Sequence, residues 1–239
     1  MEVVAKNLAP QSRVPCEASP GLGATSSPER FRVQHMPRTH NLSGTPPPNT
    51  TRTLVVFYFQ SYIFCYTQTM STEIVQDGAP VLRDIAREIP AELFNTPELT
   101  KMLKDMEVAL DAAPHGVALA APQIALPHRV FLVRYDRMLP EPAEGEEKHT
   151  PELGIFINPK IIKTSRKQAS VPEGCLSVDG VYGVTERFER ATVRAQDATG
   201  KWFERGAGGI LAQAFQHEID HLNGILFIDH AENLEKNES

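Results

Sequence analysis

The sequence changes character near Met70, and that break limits what can fold. Residues 1–53 are rich in Pro, Ser and Thr, contain Pro46-Pro47-Pro48, and carry little periodic apolar pattern. Such a segment cannot bury enough surface to offset the entropy of ordering it. Residues 1–69 are therefore expected to be a low-complexity or disordered extension, and residues 70–231 the folded part, followed by a polar tail over 232–239. About 170 residues from Met70 onward make one ordinary domain. The front segment has more Arg and Lys than acids, which suits an organellar presequence, although its prolines oppose an amphipathic helix. The other reading is that Met70 is the true start and the upstream part a misassigned extension.

Composition narrows the class. Hydrophobic residues make up 41% of the chain, enough for a core. A net charge of −6 argues against a general nucleic-acid binder, so DNA is not an expected partner, although a local basic contact surface is compatible with it. Three widely spaced cysteines, Cys16, Cys65 and Cys175, make a poor disulfide framework and fit a reducing compartment, the cytoplasm. The longest apolar run, Leu54 to Tyr66, is interrupted by Gln60 and Ser61 and is shorter than the roughly 18–20 residues a membrane span requires. The expectation is a soluble protein without a membrane partner.

Periodicity then predicts the elements. Thr96-Pro97-Glu98 reads as a helix start, with a capping hydroxyl, Pro at the first helical position and an early acid. Leu99, Met102, Leu103, Met106 and Leu110 follow at helical spacing. Val130 to Tyr135 and Gly154 to Ile162 read as strands, with an acidic loop from Glu141 to Glu152 between them. Thr192 to Gln196 and Lys201 to Glu204 flank a turn and suggest a hairpin. A last helix begins after Gly208-Gly209 and stops at Gly224. The fold class is α+β, with helices packed on mainly antiparallel sheet.

That last helix contains His217-Glu218-Ile219-Asp220-His221. Histidines four apart lie on one helical face, one turn from each other, so both imidazoles can reach one ion. Glu218 then stands where it can take a proton from a water that the ion activates. The bland alternative is a charged surface helix, but Leu211, Ala214, Phe215 and Leu222 form an apolar stripe on the Glu218 side. Unpaired polar groups there would be costly, and coordination offsets the cost. Two histidines do not complete a catalytic site, which usually has three protein ligands. A zinc-protease signature would supply a third histidine at position 227, and Phe227 stands there. Cys175, in Glu173-Gly174-Cys175-Leu176-Ser177, is the best candidate. A lone buried cysteine is usually a small hydrophobe, but turn residues bracket this one, as suits a ligand presented from a loop.

Three segments together resemble the peptide deformylase family: Gly116-Val117-Ala118-Leu119-Ala120-Ala121-Pro122-Gln123, Glu173 to Ser177, and Gln216 to His221 followed by Leu222 and Gly224. The likeness runs from about Ile74 to about Asp229. It implies antiparallel sheets around a central metal-bearing helix. It also implies that Cys175, His217 and His221 hold one divalent ion, commonly Fe(II), with Zn(II), Ni(II) or Co(II) as alternatives. Glu218 would be the general base and then the acid; the Gln123 amide and the Leu176 N–H would stabilise the oxyanion. The substrate, an N-formylmethionyl nascent peptide, would run as an extended strand beside Val117, Ala118 and Gly174. Ile210 and Ala214 would line its methionine pocket, with ordinary core packing the alternative for both. The family pattern usually has glycine where Ala118 stands, and a Cβ there could crowd the substrate. Some bacterial members carry a basic C-terminal helix that docks on the ribosome; the end of this chain, Ala231 to Ser239, is short and acidic, and a transient ribosome contact stays open. Two rival functions are a metallopeptidase of the His-Glu-x-x-His type and a non-catalytic, metal-stabilised binding protein.

Overall fold

The computed structural model describes residues 72–236 apart from 141, 143–146 and 148. The expectations for residues 1–69, including the apolar run, Cys16 and Cys65, lie outside the described residues, as does much of the acidic loop.

Helix α1 spans Pro97–Ala112. Thr96 caps it as the sequence predicts: its Oγ1 accepts from the Leu99 N–H at 3.3 Å. The face formed by Leu99, Met102, Leu103, Met106 and Leu110 is buried. It covers the outer side of strands β1 (Ala118–Ala120) and β2 (Val130–Arg134). Arg134 of β2 is tied to Asp111 of α1 at 2.6 Å.

Those strands belong to a five-stranded antiparallel sheet of order β1-β2-β3-β6-β7. Its other members are β3 (Leu153–Thr164), β6 (Arg190–Gln196) and β7 (Trp202–Gly208). Alternation puts Phe131, Val133, Phe156, Val193 and Ala195 on the inner face. There they meet Ala214, Phe215, Ile219 and Leu222 of α2, which spans Gly209–Leu222. The Phe131 and Phe156 rings stack at 4.6 Å, and Phe215 meets Phe156 edge-on at 5.0 Å. Burying each such side chain stabilises the fold by about 1.5–3 kcal/mol.

The second sheet has order β4-β5-β8, all antiparallel: β4 Gln168–Cys175, β5 Val178–Phe188 and β8 Glu232–Lys236. It holds α2 from the other side through polar contacts. The Gln216 side chain accepts from the Phe188 N–H at 2.9 Å and donates to the Phe188 carbonyl at 3.0 Å, while Gln213 donates to the Pro172 carbonyl. Helix α2 is thus buried on nearly all sides, and its polar residues must find partners inside the protein.

The structure departs from the sequence reading in two places. Residues 232–236 are not a free polar tail; they pair with β5 as an edge strand. Cys175 is not on a loop but ends β4, just before the tight turn into β5. At the end of α2, Gly224 has φ +74° and a Cβ there would lie 2.4 Å from the Arg83 carbonyl oxygen. Only glycine ends the helix in that space.

Candidate active site

The three ligand candidates arrive from two elements. Helix α2 brings His217 and His221 to one face, and the end of β4 brings Cys175 opposite them. Their ligand atoms lie within 4.8 Å of one another and all three residues are buried. Cys175 Sγ is 3.2 Å from His221 Nε2. His217 turns its Nδ1 to the carboxylate of Glu173, which leaves Nε2 for the ion side. Metal-ligating histidines typically have this arrangement, with one ring nitrogen bound to a carboxylate.

Glu173 is itself held in a buried network. Arg187 of β5 donates from Nη2 to Glu173 Oε1 at 2.7 Å and from Nε to Oε2 at 3.0 Å, and Thr185 donates to the same carboxylate. Arg187 Nη1 reaches on to Asp220 Oδ2 at 2.6 Å. Burial would raise the Glu173 pKa, but hydrogen bonds and charge from His217 and Arg187 outweigh it and hold the group well below the usual carboxylate range. Burial likewise opposes charge on His217, yet its contacts with Cys175 and Glu173 raise its pKa well above 6.5. Burial, followed by the charge of His217, lowers the pKa of His221 and favours the neutral form that coordinates a metal.

The residues fit a divalent ion on two grounds. One thiolate and two imidazoles are a donor set suited to borderline-soft metals. In addition, Glu218 Oε2 is buried with no hydrogen-bond partner among the described residues, a costly state for a group with nothing to bind. Burial, partly opposed by the charge of His217, pushes the Glu218 carboxyl up to about 7.

One cavity gathers Val117, Ala118, Gln123, Gly174, Cys175, Leu176, Ala214, His217 and Glu218. Ten of the eleven residues singled out in the sequence are therefore brought together here, His221 through its contact with Cys175. Gln123 is oriented from behind, because its Oε1 accepts from the Ala120 N–H at 2.8 Å. Its amide nitrogen then faces Cys175 Sγ at 3.7 Å and Ser177 Oγ at 3.3 Å. Ala118 lies in β1 and is not among the residues with positive φ, so its backbone accepts alanine. Ile210 is the exception. One turn before Ala214, it lines a neighbouring cleft of about 540 Å³ with Val171, Pro172, Arg187 and Gln213.

The sequence reading missed Glu173, Thr185, Arg187 and Asp220 as one network. The only available signal was an acid two positions before Cys175, which β-strand alternation puts on the same face. Phe227 is buried with Leu82, Cys175 and Leu226, and its ring lies 6.4 Å from that of His217.

Comparisons with known proteins agree with this geometry. The family model for polypeptide deformylase matches residues 71–237. A peptide deformylase of Erythrobacter litoralis is 38% identical over 178 residues, covering 69% of this chain and 91% of that protein. Peptide deformylase 1A, chloroplastic/mitochondrial, of Arabidopsis thaliana is 38% identical over 162 residues, covering 66% of this chain and 60% of that protein. A Met-Ala-Ser-bound crystal structure of the class I type b peptide deformylase from Acinetobacter baumannii superposes with a TM-score of 0.58 at 30% identity, covering 66% of this chain and 97% of that one. Among the described residues no helix is long and apolar enough to cross a membrane. Motifs, fold and buried donor set thus converge with the comparisons: the chain belongs to the peptide deformylases, metal-dependent hydrolases that remove the N-formyl group from the N-terminal methionine of newly made polypeptides.

Proposed function

We propose that deformylation in this chain is carried by Glu218, Gln123 and the Leu176 N–H around one divalent ion held by Cys175, His217 and His221. The observation that supports this most is the buried Glu218 oxygen without a partner, in the cavity that also contains Gln123, Leu176 and two of the three ligands. When bound, the ion acts as a Lewis acid that lowers the pKa of water and polarises the formyl carbonyl. Glu218 accepts the proton as water attacks the formyl carbon, holds it on a carboxyl whose pKa is near neutrality, and passes it to the departing amine. Negative charge growing on the formyl oxygen is met by the Gln123 amide and the Leu176 N–H, each such donor being worth about 3–4 kcal/mol. Val117, Ala118 and Gly174 border the path of the peptide. The methionine side chain passes Ala214 towards the neighbouring cleft that Ile210 lines; a larger drop in kcat/KM for formyl-Gly-Ala than for formyl-Met-Ala when Ile210 is enlarged would argue against that placement.

Fe(II) is the proposed native metal, with Zn(II), Ni(II) or Co(II) able to replace it. A metal count on anaerobically purified protein tests this, and the iron form should lose activity in air while a nickel form keeps it. A transient ribosome contact is part of the reading. The compartment is proposed to be the cytoplasm. Residues 1–69 give a second, organellar reading, which the Arabidopsis relative favours, and a fluorescent protein fused behind them would decide between the two.

The main test is Glu218→Ala. It should abolish formate release from formyl-Met-Ala while the protein keeps its metal, because the glutamate moves protons and is not a ligand. Cleavage of unblocked peptides at internal bonds, without formate release, would favour a metallopeptidase instead.

A further inference from the structure

The five-stranded sheet has two unlike halves on its outer face. Over β1 and β2 it is covered by α1, which ties down Arg134 through Asp111 and Glu107. Over β3, β6 and β7 no helix packs on it among the described residues; the segment from Glu88 to Asn95 borders one end, through Lys160, Asn158 and the turn at Thr199 and Gly200. Register places Lys160 beside Arg194, Lys163 beside Thr192, and Arg194 beside Glu204. Alternation buries Ala191, Val193 and Ala195 on the opposite face, so these polar residues share the open one. Trp202, the single tryptophan of the chain, is 46% exposed. The guanidinium carbon of Arg194 lies 4.9 Å from its ring centroid. Lys160 is paired with Glu88 at 2.8 Å and Arg194 stands opposite Glu204, so two acids lie against the cations of this face. Among the described residues Lys163 and Arg194 make no ion pair.

We propose that this open half of the sheet docks single-stranded or looped RNA, with a base stacking on the Trp202–Arg194 pair and phosphates meeting Lys163, Lys160 and Arg194. It is the combination that points to RNA. A lone exposed aromatic needs no explanation, and a few surface lysines are ordinary. Here a guanidinium lies over an aromatic ring on the sheet face, flanked by cations on adjoining strands only about 5 Å apart. Sequence-tolerant RNA binding uses such a platform: a π-face for the base and cations for the backbone. The patch has three cations, Lys160, Lys163 and Arg194, against two acids, Glu88 and Glu204, a small local excess of positive charge in a chain whose net charge is −6. An acidic peptide would find the same cations but would make no use of the stacked pair. The inference gives the ribosome contact proposed above a place and a chemistry. It does not depend on the residue roles in the active site, which lies on the other side of this sheet.

The single tryptophan makes the test direct. Full-length, nickel-loaded protein is titrated with an unstructured 12-nucleotide RNA of mixed A and U while Trp202 fluorescence is followed. Saturable quenching is expected, with affinity falling as salt rises by about 0.7 in log–log slope for each phosphate neutralised. Lys163→Glu with Arg194→Glu should weaken binding by about tenfold or more and leave formate release from formyl-Met-Ala unchanged. No quenching at about 50 mM salt overturns the proposal. So does equal quenching in the double variant, and so does equal competition by dextran sulfate, which offers charge without bases. Formate release is followed in the same samples. Absent RNA binding with turnover intact therefore removes the docking surface alone, whereas absent turnover strikes at the enzymatic reading.

Discussion

At the scale of single residues, position in the network matters more than residue type. Glu173 touches no substrate path that the motif implies, yet it fixes which nitrogen of His217 faces the ion and neutralises Arg187 in a buried setting. Glu173→Gln should therefore weaken metal retention by about 10–100-fold in a chelator competition, with the pH profile of the remaining activity shifted. Unchanged retention would reduce Glu173 to a packing role. His128 gives a different kind of prediction. Burial, and then the charge of Arg87, lowers its pKa to about 4 from 6.5. On acidification the unfolded chain takes up this proton first, so stability is intact above pH 6.5 and declines as pH falls towards 4. The full effect is at most about 3–4 kcal/mol, since a tenfold change in proton affinity is about 1.4 kcal/mol. His128→Gln should flatten that acid limb when melting temperatures of metal-loaded proteins are compared at pH 7.5 and pH 5. Parallel losses in the two proteins would mean that His128 is not the group responsible.

At the scale of elements, what could be read from the sequence depended on whether the element's partners are local. Helix α1 and helix α2 declare themselves through apolar spacing and caps, and the structure places both within a residue or two of the expected bounds. Strands β2, β3, β6 and β7 were legible from their β-branched residues and one turn. Strands β4 and β5 were not, because Pro172, Gly174, Gly180 and Gly183 blur their pattern. Pairing across the hairpin between them, and not intrinsic preference, makes them strands. Strand β8 is exposed at every residue, so no alternation could reveal it. The site follows the same rule. The histidine pair and Glu218 follow from helical spacing, whereas the Glu173–Arg187–Asp220 network joins three elements and leaves one local trace, the acid two positions before Cys175. One element boundary rests on a single atom. Gly224→Ala would force a Cβ to 2.4 Å from the Arg83 carbonyl oxygen at φ +74°. A loss of about 2 kcal/mol or more is expected in urea unfolding, and a variant within 0.5 kcal/mol of the parent would show that residues 83–84 yield easily.

At the scale of the molecule, the question is how much of the chain the enzyme uses. The side-chain hydrogen bonds that orient Cys175, His217 and Gln123 come from residues between 120 and 221. The outermost support is the segment around Val75, whose N–H donates to the Gln123 carbonyl at 2.8 Å, and Asp77, whose N–H donates to Ser177 at 2.7 Å. These two bonds hold the oxyanion-side residues from beneath, so the functional unit should begin just before them and no earlier. The family match starts at residue 71, in agreement with that limit. The Pro-, Ser- and Thr-rich composition of residues 1–53 offers little apolar surface to add to a core. A chain running from Met70 to Ser239 should therefore melt within about 2 °C of the full-length protein and release formate from formyl-Met-Ala at the same kcat/KM. Shortening it further, to begin at Gly78, should remove both bonds and lower kcat more than stability, because Gln123 and Ser177 lose their support while the core stays closed. If instead the chain from Met70 loses activity or melts markedly earlier, the extension contributes to the domain and the functional boundary lies upstream of residue 70.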